Sequence, residues 1–222
     1  PYWHYRTLDE EDIRQGLIEP LKRHNAVLVQ DVNTGFVDRE TRRILNPWKQ
    51  RVTDKIDGKT VHDYVSGKRG LDAGIEEGVF EIASHGWTHM LPDLDSAPGP
   101  FWTAPMDGVG TLGWDIEFGD RLRGQEVPAN VQKYHFERSL EYIQQDFGTT
   151  PLFVMAGGGG HSVSYPNNSQ RIAAQVGFGL CSDFGPIAYL GRDLVVALPP
   201  IVQRISWAHD RDIDLADLAW TV

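Results

Sequence analysis

His85 and His89 stand four residues apart in the stretch EEGVFEIASHGWTHMLPDL (76–94), a spacing that lets two imidazoles share one metal ion. Zinc and similar divalent ions favour neutral imidazole nitrogens at about 2.0–2.1 Å, and a catalytic site adds a third protein ligand and keeps one position for water. HGWTH matches the zincin pattern H-E-x-x-H in spacing only. The glutamate that would serve as base is absent, and Gly86 disfavours a continuous helix, so a metalloprotease is not expected. Taken alone, an H-x-x-x-H pair is equally what ordinary core or surface histidines produce. Three other groups join it by position: Asp31 in AVLVQDV, Asp183 in FGLCSD and His209 in ISWAHDRD each sit at or just after an apolar run.

These groups need elements to hold them. DEEDIRQGLIEPLKR (9–23) reads as a helix with an acidic start, Ile13, Leu17 and Leu21 on one face, and an uncertain last turn at Pro20. AVLVQDV (26–32) reads as a buried strand, VHDYVSG and LDAGIEEG as two short helical pieces, and VFEIAS as the next strand. From about Val131 a helical face runs through Phe136, Leu140, Ile143 and Phe147 to a stop at Gly148. PLFVMA is a strand, NSQRIAAQVG a helix, and FGLCSD, DLVVAL and QRISWA are strands; DIDLADLAW is helical. Strands alternating with helices predict parallel βαβ units in an open sheet or barrel, whose functional groups gather at the C-terminal strand ends. Asp31, His85, Asp183 and His209 all fall there.

Residues 91 to 130 differ, being dense in Gly and Pro, and read as a functional loop or lid. Trp102 and Trp114 in this insert, with Trp207, offer flat apolar faces for stacking sugar rings, or pin the insert to the domain. In GGGGHSVSYP (157–166), Gly158 and Gly159 permit close backbone approach to a ligand, and His161 lies within reach of a site; the bland reading is a flexible turn. A P-loop is excluded because no Lys-Ser/Thr follows.

The 222 residues suit one α/β domain, and a net charge of −10 argues against nucleic acid and anionic membrane as partners. The lone Cys181 reads as a small buried hydrophobe. No run approaches the ~20 apolar residues of a membrane helix, and no signal-peptide pattern appears in these residues, so a soluble domain without membrane insertion is expected.

The order of these segments resembles the NodB-type polysaccharide deacetylase family. EEGVFEIASHGWTHMLPDL looks like its histidine motif, and AVLVQDV like its aspartate-bearing first strand. FERSLEYIQQDFG with TTPLFVMAGGGG is similar to the helix and strand of the third motif, NSQRIAAQVGFGLCSDFG to the fourth, and ISWAHDRD to the last. The resemblance spans roughly residues 25 to 215 and implies a distorted (β/α) barrel over the whole of 1–222, with the insert at about 91–130. It implies hydrolysis of an N-acyl group, acetyl or formyl, from an amino sugar or related amide, with one divalent metal ion, zinc by preference. A metal held by two histidines and an aspartate polarises the amide carbonyl and brings bound water toward a pKa of ~7. By the same resemblance His85, His89 and Asp31 are the ligands, and His209 is the acid that protonates the departing amine.

The chain departs from the family twice. The family's first motif carries two adjacent aspartates, base then ligand, where this chain has Gln30-Asp31-Val32. Either Asp31 is the ligand and Gln30 stands at the base position, where a carboxamide cannot take a proton, or Asp31 is the base and Val32 replaces a ligand. The first alignment is preferred because the histidine pair calls for a third, anionic ligand. The family's arginine beside the base is also missing, with Met155 near its place. Losing both together describes a remodelled site, with Asp183, Asp210 or His161 as substitute base. The alternative is a non-hydrolytic sugar- or metal-binding domain of the same fold.

Overall fold

The computed structural model describes residues 9–38, 43–49, 55–56, 59–60, 64–89, 117–120, 125–155, 168–182, 187–190 and 194–197. The strands are β1 (Leu28–Val32), β2 (Phe36–Asp38), β3 (Arg43–Leu45), β4 (Lys55–Ile56), β5 (Lys59–Thr60), β6 (Phe80–Ser84), β7 (Gly119–Asp120), β8 (Gln125–Glu126), β9 (Phe153–Met155), β10 (Leu180–Ser182), β11 (Ile187–Leu190) and β12 (Leu194–Ala197). Six of them form one sheet in the order β1-β6-β9-β10-β11-β12. The β1-β6-β9-β10 part is parallel, as alternating strands and helices require, while β10-β11 and β11-β12 pair antiparallel. The antiparallel end departs from the expected run of βαβ units: IAYL makes a strand that pairs antiparallel with LVVA. Among the described strands β1 is an edge, and Val27 and Val29 lie exposed along it. The described architecture is thus an α/β fold on a mostly parallel sheet.

The helices follow their apolar periodicity with two differences. Residues 10 to 23 are helical throughout, as α1 (Glu10–Ile13), a π turn (Arg14–Ile18) and α2 (Glu19–Arg23). Asp9 caps the start in a reciprocal capping box with Asp12. The π turn, closed by the Glu19 N–H on the Arg14 carbonyl, places Pro20 in the first turn of α2, where its missing N–H costs little. The two pieces expected at 61–78 are one helix, α3 (Tyr64–Glu76). Its glycines do not break it because they serve packing: a Cβ on Gly74 would lie 2.0 Å from the Phe80 ring, so glycine lets α3 close onto β6.

The long helix α4 (Ala129–Phe147) ends on Gly148 at φ +67°, the left-handed stop that its sequence predicts. It packs on β6 and on α5 (Asn168–Val176). One core gathers Ile13, Ile18, Leu71, Phe80, Ile82 and Ile143; a second gathers Phe118, Phe136, Val154, Ile172, Phe178 and Cys181. Cys181 is fully buried, and burial pushes its thiol up to about 12, so it is the inert hydrophobe expected. No helix among the described residues is long and apolar enough to cross a membrane.

Candidate active site

The parallel pairing of β1 with β6 sets Asp31 opposite Ala83 and Val32 opposite Ser84, and the His85 N–H continues the ladder onto the Val32 carbonyl at 3.0 Å. Asp31 and His85 therefore end neighbouring strands at their C-terminal edge, where parallel sheets present functional groups. From His85 the chain turns sharply, with Gly86 at φ +90° and His89 at φ +57°. That turn brings the rings of His85 and His89 to a centroid separation of 4.9 Å, tilted by 50°. His89 is buried.

Polar groups fix this turn from every side. The Asn33 side-chain amide donates to the His85 carbonyl at 2.8 Å. Ser84 Oγ accepts from the Gly86 N–H at 3.2 Å, and Ser139 Oγ, 2.7 Å from Ser84 Oγ, donates to the Gly86 carbonyl at 2.9 Å. The Gly35 N–H donates to the Trp87 carbonyl at 2.6 Å. The remaining N–H groups converge on one buried carboxylate. Glu117 accepts from Trp87 at 3.0 and 3.1 Å, from Thr88 at 3.1 Å and from His89 at 2.9 Å, and its Oε1 lies 2.6 Å from His135 Nδ1. Every backbone N–H from His85 to His89 thus has a partner. Trp87 wedges beneath, edge-on to the rings of Tyr134, His135 and Tyr142.

His85 Nδ1 lies 2.9 Å from the Met155 carbonyl, and because a carbonyl only accepts, Nδ1 carries the hydrogen. In the neutral ring the lone pair then sits on Nε2, the arrangement typical of metal-ligating histidines. Met155, where the resemblance implies an arginine, thereby contributes its backbone carbonyl.

Asp31 is supported differently. No hydrogen bond or ion pair reaches its carboxylate among the described residues. Solvent touches the residue, yet protein atoms crowd the carboxyl enough that lost hydration pushes it up to about 7. Gln30 alternates onto the other face of β1 with Leu28 and Val32, which takes it away from the face that carries Asp31.

The histidine pair fits a divalent ion by donor type and by the tethering of His85. Among the described residues, no three His, Cys, Asp or Glu side chains come together closely enough to hold an ion, so Asp31 does not close onto the pair in this structure. Asp183, His209, Asp210, Trp102, Trp114, Trp207, Gly158, Gly159 and His161 lie outside the described residues. Glu117, His135 and Ser139 were not legible as site residues. Glu117 sits in the Gly/Pro-rich insert, and the other two look like ordinary positions of α4.

No protein-family model matches the chain, and no curated protein matches it significantly. Solved structures do. The deacetylase domain of BpsB from Bordetella bronchiseptica superposes with a TM-score of 0.50 over 84% of this chain at 16% identity. This chain spans 64% of that domain's length, just under two thirds. A de-N-acetylase from Aggregatibacter actinomycetemcomitans (TM-score 0.48, 18% identity, 88% of this chain and 69% of that one) and IcaB from Ammonifex degensii (0.48, 13%, 95% and 69%) are also similar. The fold is the one the first of these displays.

Proposed function

Starting from a chain with the NodB-type polysaccharide deacetylase fold, we propose that it is a metal-dependent hydrolase that removes an N-acyl group, acetyl or formyl, from an N-acylated amino sugar or related amide. Closure of the sheet into a distorted barrel belongs to the same reading. The observation that carries it is the histidine turn: two imidazoles 4.9 Å apart at a C-terminal strand end, one with its Nδ1 hydrogen committed to a backbone carbonyl. The BpsB domain is a deacetylase, and likeness to it supports this class of reaction.

His85, His89 and Asp31 would hold the ion, zinc by preference. Once bound, such an ion supplies Lewis-acid polarisation of the amide carbonyl and acidified water. The chain's own residues supply the rest. Asp183, Asp210 or His161 takes the water proton in place of the missing aspartate, and His209 protonates the departing amine. Trp102, Trp114 and Trp207, with the backbone at Gly158 and Gly159, hold the sugar. One observation favours a second reading, a sugar- or metal-binding domain that does not hydrolyse: Asp31 is the sole carboxylate of β1, and Gln30 faces away from it.

The test is elemental analysis of the purified chain beside its His85→Ala/His89→Ala variant, followed by acetate or formate release from N-acylated sugars. One equivalent of metal lost in the variant, with acyl release by the parent, is expected. Equal metal in both discards the site; metal without release leaves the binding domain. An active Asp31→Asn variant would remove Asp31 from the ligand set.

A further inference from the structure

We propose that Glu117 is the positioning residue for the histidine pair, an anion supplied by the insert that fixes the backbone of residues 87–89 and so aims His89 at the ion. This rests on the metal-hydrolase reading above and extends it to a residue that touches neither ion nor substrate.

The argument begins with the backbone. His89 has φ +57°, in the left-handed region that few non-glycine residues occupy, although histidine enters it more readily than most. Successive N–H groups pointing to one side of a turn make a seat for an anion. Here the seat formed by Trp87, Thr88 and His89 is filled by Glu117, itself wholly buried. Glu117 takes all three of these N–H groups, while Gly35 and Ser139 hold the carbonyls of Trp87 and Gly86, so the carboxylate fixes the N–H side of the turn that carries His89. Gly86 belongs to the same fit: a Cβ there would lie 2.2 Å from Glu117 Oε2, so the carboxylate uses the space that glycine leaves. His135, from α4, holds Oε1 at 2.6 Å and keeps the carboxylate aligned. The ring of His89 is thereby oriented by a residue 28 positions further along the chain.

Partners that hold ligand-bearing groups typically change metal affinity by about 10–100-fold when removed. The test measures Zn²⁺ affinity of the full chain by chelator competition, with Co²⁺ absorption as a reporter of ligand geometry, below the melting temperature of each metal-free variant. Glu117→Gln, which turns an amide N–H toward backbone donors, is expected to weaken Zn²⁺ binding about 10–100-fold and to alter the Co²⁺ spectrum. His135→Phe should weaken it less, and His135→Asn, which restores a donor near Nδ1, should recover most of that loss. A merely structural role would lower the melting temperature and leave Zn²⁺ affinity and the Co²⁺ spectrum of the folded protein unchanged; that result overturns the inference while the metal site stands. If Glu117→Gln does not fold, the His135 pair decides by the same criterion. Failure of the parent chain to bind Zn²⁺ would overturn the metal reading, and this inference with it.

Discussion

The two strand ends that meet at the candidate site are built in opposite ways. After β6, the turn from His85 to His89 has each N–H bonded, its Gly86 carbonyl held by Ser139 and its last three amides gathered on Glu117. At the end of β1, an edge among the described strands, Asp31 has no described hydrogen bond, and its carboxyl is partly desolvated although solvent reaches the residue. The histidine end is therefore rigid before any ligand arrives, whereas the aspartate end carries an unmet demand for positive charge. A divalent ion held as proposed would require Asp31 to move toward the pair, which it does not reach in this structure, while the turn keeps its bonds. Preorganisation on one side and an unstable carboxylate on the other is a division expected of a binding site rather than of a structural corner.

The most damaging change to the rigid end is Gly86→Ala. Its φ of +90° strains any L side chain, and the new Cβ would collide with Glu117 Oε2. The backbone strain costs about 1–3 kcal/mol, and each buried N–H that loses the carboxylate adds ~1–3 kcal/mol. With one N–H left unpaired the two costs come to about 2–6 kcal/mol, which in a domain of this size is a fall in melting temperature of roughly 4–24 °C. A melting temperature within a degree of the parent would show that the turn is not held as described.

Ser139→Ala is expected to act through the same turn, more gently. It removes the donor to the Gly86 carbonyl and the partner of Ser84 Oγ, all buried. Leaving such groups unpaired costs about 1–3 kcal/mol. Ser139→Thr, which keeps the hydroxyl, should lose less in a parallel melt, provided its added methyl is accommodated. Equal losses in both would assign the effect to packing along α4.

What was legible in the sequence follows the range of the forces involved. β1, β6 and α4 were readable because apolar runs and a helical face are local signals, and Gly148 marks its own stop. The single helix α3 was not, since the propensity cost of Gly67, Gly70 and Gly74 is visible in the sequence while the packing of Gly70 against Ile13 and of Gly74 against Phe80 is not. β11 escaped because it is a four-residue strand paired antiparallel with both neighbours, whereas a βαβ reading looks for parallel strands. The histidine pair and Asp31 could be nominated from residue type and strand ends. Glu117 could not: its partners lie 28 to 30 residues away across a segment whose composition signals only irregularity. Local chemistry nominates candidate residues, but the groups that hold them in place are set by tertiary contacts.

The smallest expected effect belongs to the unsupported end and separates its two states most clearly. In the unfolded chain the Asp31 carboxyl titrates near 3.8, and in the folded one near 7. Between those values the native state holds a proton that the unfolded state has lost, so this residue's contribution to stability falls as pH rises from about 4 to about 7 and is level above. Asp31→Asn abolishes that dependence while keeping the shape. The metal-free variant should melt with the parent at about pH 4 and slightly above it at about pH 8, by less than either turn variant because solvent reaches the residue and screens the charge. Adding Zn²⁺ at the higher pH should reverse the order, since only the parent gains a ligand for its carboxylate. Equal stabilisation of both proteins by Zn²⁺ would mean that the histidine turn takes the ion alone and that Asp31 serves the reaction in the other role its position allows, as a base.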